Sequence, residues 1–278
     1  MSVQEYLMPR SLPEALDLLV RHGAELLVIA GGTVAMPLVN EGISLPERVM
    51  SLRHAGLDRL ERRDGRLEIG AAATLTRLLN APWVADVPLL AEAVRNTASW
   101  PVRNMGTVGG NLFTPPPGGD VAVALLALDA EVRLASPRGE RVLPLTAFYT
   151  GFMTNALGPD ELLAGITVPL AARETAFLKL GRKHANTPAV VTVAVALERE
   201  AGRVATARVA LGAAGPHPMR VAGAEAALVG SPLDAATIGR AAEAATAEAQ
   251  PFTDGVATEW YRRRMVGVVL RRALERLT

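Results

Sequence analysis

The chain contains no cysteine. That absence excludes disulfides, thiolate zinc sites, a cysteine nucleophile and any iron–sulfur cluster ligated by this polypeptide. It agrees with a reducing cytoplasm, where the protein is expected to reside. Aromatic residues make up only 4% of the sequence, so its cores must be built mainly from Ala, Val and Leu. The formal net charge is +1, which gives no general field for gathering nucleic acid or an anionic membrane. Long apolar runs are missing too: the most hydrophobic stretch, Val121 to Leu128, is far too short to span a bilayer. The opening MSVQEYLMPRSL holds Glu5 and no apolar centre, so no secretory leader is expected. His22, His54, His184 and His217 lack metal-ligand spacing, which argues against a metal site. There is no G-x-S-x-G elbow, no G-x-G-x-x-G and no P-loop.

What is present is ordinary in bulk: 278 residues, 50% hydrophobic and 21% charged, enough for two or three modest cores. Ser11-Leu-Pro-Glu14 is a helix-start signal, Leu12, Ala15, Leu16, Leu19 and Val20 recur at helical spacing, and Gly23 is a stop. Leu26 to Ala30 and Val49 to Leu52 predict short strands, and Leu67 to Ala71 an extended segment. Helices are predicted from Thr74, over Pro88 to Asn96 and from Asp120. Ser136-Pro-Arg-Gly139 joins two hairpin strands, and Leu162 to Val168 predicts a further strand. In the last third, three strands (Phe177 to Leu180, Ala189 to Leu197, Val204 to Leu211) precede Ala-rich helices at 222–229 and 234–249 and a final amphipathic helix from Thr258. These changes of pattern suggest units at 1–55, 56–170 and 171–278.

Two stretches carry possible chemistry: Ala30-Gly31-Gly32-Thr33-Val34 and Thr107-Val108-Gly109-Gly110-Asn111. Each reads as an apolar segment giving way to a turn. Adjacent glycines permit positive φ and close approach to the backbone. Successive N–H groups in such turns form an anion-binding concavity, to which a Thr hydroxyl can add. A pyrophosphate needs donors from more than one side, and two such loops can supply them together. Each Gly-Gly taken alone is equally a plain turn.

The chain resembles the FAD-binding, medium subunit of the xanthine dehydrogenase and carbon monoxide dehydrogenase family of molybdenum hydroxylases. The resemblance runs through Tyr6-Leu-Met-Pro9, Ala30-Gly-Gly-Thr33, Pro37, Arg103-Asn-Met-Gly-Thr-Val-Gly-Gly-Asn111, Asp120, Glu161-Leu-Leu163, Phe177-Leu-Lys-Leu-Gly-Arg182 and Tyr261-Arg-Arg-Arg-Met265. It implies an α+β chain: a two-subdomain, PCMH-type FAD-binding fold, then a small C-terminal domain with a three-stranded antiparallel sheet and helices. It also implies that both glycine stretches hold the FAD pyrophosphate and that Asp120 contacts the ADP ribose, although Asp120 also suits a helix cap. Leu162 or Leu163 would pack on the cofactor, or serve as plain core. Lys179 would sit at the pyrimidine edge of the isoalloxazine, or be an exposed strand lysine, and His184 is a further candidate near the flavin. Val34, Gly119 and Trp100-Pro101-Val102 depart from the family's usual residues. Arg262–Arg264 with Arg271 and Arg272 read as a solvated helix face rather than a partner site.

The resemblance implies an oxidoreductase component that relays electrons and has no catalytic residue for the organic substrate. A molybdopterin-binding large subunit would do the substrate chemistry, and a small subunit with 2Fe–2S clusters would pass electrons to this flavin, in a dimer of heterotrimers. With no cysteine of its own, the chain needs such a partner to hold clusters, and the 4-hydroxybenzoyl-CoA reductase branch is disfavoured. A free-standing FAD-dependent oxidoreductase and an FAD-free assembly scaffold stay open as alternatives.

Overall fold

A computed structural model describes residues 3–183 and 185–278; His184, a candidate neighbour of the flavin, lies outside the described residues. β1 (Glu5–Leu7) leads into α1 (Leu12–His22), which starts where the Ser11 hydroxyl accepts the Glu14 N–H and ends at Gly23 with φ +52°. The helix turns Ala15, Leu16 and Leu19 inward. β2 (Leu26–Ile29), α2 (Ala35–Asn40) and β3 (Arg48–Ser51) follow, and the strands form a parallel sheet in the order β1-β3-β2. The helices make the crossovers that parallel pairing requires.

The next stretch contains β4 (Leu60–Arg63), β5 (Arg66–Gly70), α3 (Leu75–Leu79), α4 (Pro88–Asn96), α5 (Trp100–Met105), α6 (Val108–Leu112) and α7 (Asp120–Ala127). β6 (Glu131–Ser136), β7 (Gly139–Pro144), the small pair β8 (Tyr149–Gly151) and β9 (Thr154–Asn155), and β10 (Leu162–Pro169) complete it. Five strands pair antiparallel in the order β4-β5-β10-β6-β7. In the central strand β10, alternation with a bulge between Leu163 and Gly165 sends Leu163, Ile166 and Val168 into one core and Leu162 and Ala164 into the core shared with α1 and β3.

β11 (Glu174–Gly181), β12 (Ala189–Glu200), β13 (Arg203–Gly212) and β14 (Met219–Arg220) form an antiparallel sheet, followed by α8 (Ala222–Leu228), α9 (Ala235–Glu248) and α10 (Glu259–Glu275). The expected three-stranded sheet therefore has a fourth strand, which at two residues is too short for an alternating pattern to reveal. β12 and β13 meet at Ala201 and Gly202, both left-handed at φ +49° and +77°, the conformation of a tight hairpin turn. Val266, Leu270, Ala273 and Leu274 of α10 join the sheet's core. Every residue of α7 is buried, as expected for a helix apolar all round. It packs between α4 and the strands β12 and β13.

One surface expectation is corrected. Arg262 is fully buried and donates to the carbonyls of Ala189, Val190 and Ala213 and to the Asp254 carboxylate. It pins α10 to the sheet rather than facing solvent. A second ionic cluster ties the end of α7 to the same sheet: Asp129 meets Arg173, Arg208 and Arg220 at 3.0, 2.8 and 3.0 Å. Burial alone would raise the Asp129 carboxyl, but hydrogen bonding and charge from Arg208, then Arg220 and Arg173, hold it below the usual range.

Candidate functional site

The first diglycine corner lies between β2 and α2. Gly32 adopts φ +68°, where a Cβ would also stand 3.1 Å from Met36 Cγ, so glycine is required there on two counts. Among the described residues, the N–H groups of Gly31, Gly32, Thr33 and Val34 donate to no protein acceptor. Val34 occupies the N-cap position of α2 without a side-chain bond and is exposed. Four consecutive amides with no internal partner stand beside the Thr33 hydroxyl as donors a ligand could use.

The second corner differs from the turn read in the sequence. Thr107 caps a short helix, α6, with its hydroxyl accepting the Gly110 N–H at 3.0 Å. The Val108 and Gly109 amides donate to Ala73 O and Ala71 O, both at 2.9 Å, and the Asn111 amide donates to Thr107 O. All four amides are therefore engaged inside the protein. Gly109 is needed for packing, since a Cβ there would stand 2.6 Å from Ala71 O. The Val108 side chain is core. Asn111 turns its side-chain oxygen to the Ala122 N–H at 3.1 Å, capping the start of α7 from outside. Gly110 alone is exposed, and it presents bare backbone.

The two corners touch. A Cβ on Gly31 would overlap the Met105 carbonyl oxygen, and one on Gly106 would stand 3.4 Å from Thr33 Oγ1. The backbone of the first corner thus packs directly on the segment leading into the second. That segment is itself held against α3, by Leu75 N–H to Gly106 O at 2.9 Å and by the Thr76 hydroxyl to Asn104 Oδ1 at 2.6 Å. From Gly110 the surface continues to the start of α7, where Gly119 at φ +85° lies against Asn111 O. The glycine that stands in place of the family's polar residue is thus required by its backbone.

Asp120 and Lys179 meet there. Lys179 Nζ donates to Asp120 Oδ2 at 2.6 Å and to Asn96 O at 3.1 Å, and the Thr192 hydroxyl donates to Asp120 Oδ1 at 2.8 Å. Each side chain of the pair is 7% exposed. Burial pushes the Asp120 carboxyl up, against the opposing charge and hydrogen bond of Lys179 and the hydrogen bond of Thr192. One expectation changes. Asp120 is the first residue of α7 rather than its cap, since Gly119 takes that place. Asp120 and Lys179, expected at the ribose and at the isoalloxazine, form one ion pair in this structure. Leu162 and Leu163, at 3% and 5% exposure, lie on opposite faces of β10 and each joins a core.

Thr192 was not foreseen; its only sequence signal is a hydroxyl within an otherwise apolar strand. Arg103 was seen only as part of a motif. Its Nη1 donates to Thr97 O at 2.9 Å and Ala98 O at 3.2 Å.

Residues 1–171 match the family described as the FAD binding domain in molybdopterin dehydrogenase, and residues 175–277 match the CO dehydrogenase flavoprotein C-terminal domain. The chain belongs to the FAD-binding subunits of the molybdenum hydroxylases. It is 32% identical to the carbon monoxide dehydrogenase medium chain of Afipia carboxidovorans, over 98% of this chain and 96% of that one. It is also 32% identical to the caffeine dehydrogenase subunit beta of a Pseudomonas species, over 82% and 79%. Among solved structures, carbon monoxide dehydrogenase from Hydrogenophaga pseudoflava superposes with a TM-score of 0.94 at 32% identity, covering 99% and 96% of the two chains. Quinoline 2-oxidoreductase from Pseudomonas putida 86 gives 0.92 at 29% identity, covering 99% and 96%. The chain is therefore an oxidoreductase component with an FAD-binding domain, and its mixed helix and strand fold is the family's. The chemistry of the donors suits that cofactor: the amides of Gly31 to Val34 have no protein acceptor and Gly110 offers exposed backbone. No described helix is long and apolar enough to cross a membrane.

Proposed function

We propose that this chain is the electron-transfer subunit of a molybdenum hydroxylase, holding FAD with its diphosphate on the unpartnered amides of Gly31 to Val34. The single observation that carries the site is that these amides lie open where the first corner touches the approach to the second. Ala30 follows the strand β2 that leads into the corner, and the Thr33 hydroxyl adds a donor. Gly110 allows close approach from the other side, while Thr107, Val108, Gly109 and Asn111 shape that wall from within. Bound FAD supplies chemistry that accepts electrons singly and passes them on singly or in pairs.

Lys179, fixed by Asp120 and Asn96 O, sets a cation at one place in this arc. A fixed ammonium beside the flavin ring favours the reduced, more negative state. This account puts Lys179 at the ring and gives Asp120 to Lys179 rather than to the ribose. The partners proposed are a molybdopterin-binding large subunit and a small subunit carrying 2Fe–2S clusters, in a dimer of heterotrimers in the cytoplasm. This division of labour follows because a chain without cysteine ligates no cluster. We also propose functional units at 1–55, 56–170 and 171–278, with the flavin between the first two and Lys179 contributed by the third.

The experiment is co-expression with the neighbouring genes, followed by subunit analysis and a visible spectrum. Stoichiometric flavin, together with large and small subunits, supports the relay. Substrate turnover by the isolated chain would instead indicate a free-standing oxidoreductase, and a chain without flavin bands would indicate a scaffold. Lys179→Met paired with Asp120→Asn removes the ion pair without stranding a buried charge. It is expected to keep FAD and lower its potential, and an unchanged potential removes Lys179 from the electronic role.

A further inference from the structure

The contact between the two corners depends on where α5 places Met105 and Gly106. α5 has only six residues, and its N-cap Ser99 makes no side-chain bond. The residue before that cap, Ala98, is held at φ +51°, a left-handed conformation that residues with a Cβ adopt at a cost. Left to itself, this turn is a weak foundation for the wall of a binding site.

Arg103 compensates from the far end of α5. Its Nη1 reaches back to Thr97 O at 2.9 Å, Ala98 O at 3.2 Å and Arg95 O at 3.4 Å. These are the carbonyls at the end of α4 and in the strained turn itself, where a helix leaves acceptors unpaired and favours a cation. Among the described residues no carboxylate pairs with Arg103. Its buried Nε has no hydrogen-bond partner, which disfavours the conformation by itself. The guanidinium is therefore held by carbonyls of the 95–98 segment alone, from a position two residues before Met105, whose carbonyl Gly31 abuts.

We propose that Arg103 is a positioning residue for the cofactor: by clamping the 97–98 turn it sets α5, and through α5 the Met105–Gly106 wall against the open amides of the first corner. This rests on the proposed FAD site, which it deepens. Arg103 touches no phosphate in this account; it fixes the distance between the first corner and the wall that faces it.

The test is FAD titration of the full chain after removal of the flavin, with the melting temperature of the flavin-free chain measured alongside. Arg103→Met keeps the side-chain stem and removes the fork. It is expected to weaken FAD binding about tenfold or more, as loss of charge-assisted hydrogen bonds does. Arg103→Lys, which can reach one carbonyl, should recover part of that loss. The decisive variant is Arg103→Met with Ala98→Gly: glycine takes φ +51° without strain, so the turn no longer needs its clamp and affinity should return toward wild type. A general loss of folding would show instead as a lowered melting temperature of the flavin-free Arg103→Met chain. Wild-type affinity in Arg103→Met, or no recovery in the double variant, overturns the positioning role. Failure of the unaltered chain to bind FAD would instead overturn the proposed site itself.

Discussion

The two diglycine corners look alike in sequence and do different work. In Ala30–Val34 the glycines serve the outside: Gly32 takes a left-handed turn, and the amides that follow face away from any protein acceptor. In Thr107–Asn111 they serve the inside: Gly109 admits the Ala71 backbone, and every amide from Val108 to Asn111 is already bonded. The same dipeptide thus supplies donors at one corner and closeness at the other. A glycine pair beside a threonine is a statement about backbone space, and the neighbours decide who uses that space.

Substitutions that separate the two uses sharpen this contrast, the largest effect on the flavin-free chain being at Gly109. Gly109→Val drives a branched side chain into Ala71 O, 2.6 Å from where its Cβ would stand. It is expected to destabilise the protein by about 3 kcal/mol or more even without FAD, measured by denaturant unfolding. A normal midpoint would show that the second corner is not packed as described. Gly31→Ala forces the Met105 carbonyl away and should lower stability by about 2 kcal/mol while also weakening FAD in isothermal titration. Affinity equal to wild type would mean that contact between the corners is irrelevant to binding.

Thr107→Ala removes the cap of α6 and should lower stability by about 1 kcal/mol, read from the melting temperature. Gly110→Ala is the gentlest. Its methyl meets the Thr107 hydroxyl at 2.9 Å, which must shift within its cap bond, so the flavin-free chain should lose no more than the cap's own share, about 1 kcal/mol. FAD affinity should nevertheless fall about tenfold, because the methyl stands on the open face where a ligand approaches. A variant that binds FAD normally would remove Gly110 from the site.

Much of the framework was legible. Ser11, Thr74, Asp234 and Thr258 each cap the helix that their sequence announces, because a cap is a local bond between near neighbours. The family and the placing of the first corner were legible as well. The second corner was not, because a helix of five residues holding two glycines runs against helix propensity. It forms because Ala71 O and Ala73 O, distant in sequence, take two of its amides. The pairing of Lys179 with Asp120 joins residues 59 apart in sequence, and no local pattern encodes it. Leu162 and Leu163 were ambiguous for the opposite reason: an apolar pair in a strand buried on both faces carries no sign of which face a ligand takes.

The most direct measurement is a crystal structure of the chain with FAD bound. The diphosphate should lie within hydrogen-bonding distance, about 3 Å, of amides between Gly31 and Val34, with the Gly110 backbone closing the other side and the amides of Val108 and Gly109 still on Ala73 and Ala71. A diphosphate seated away from the first corner, or one bound by the second corner's amides after they have left Ala71 and Ala73, would contradict the account.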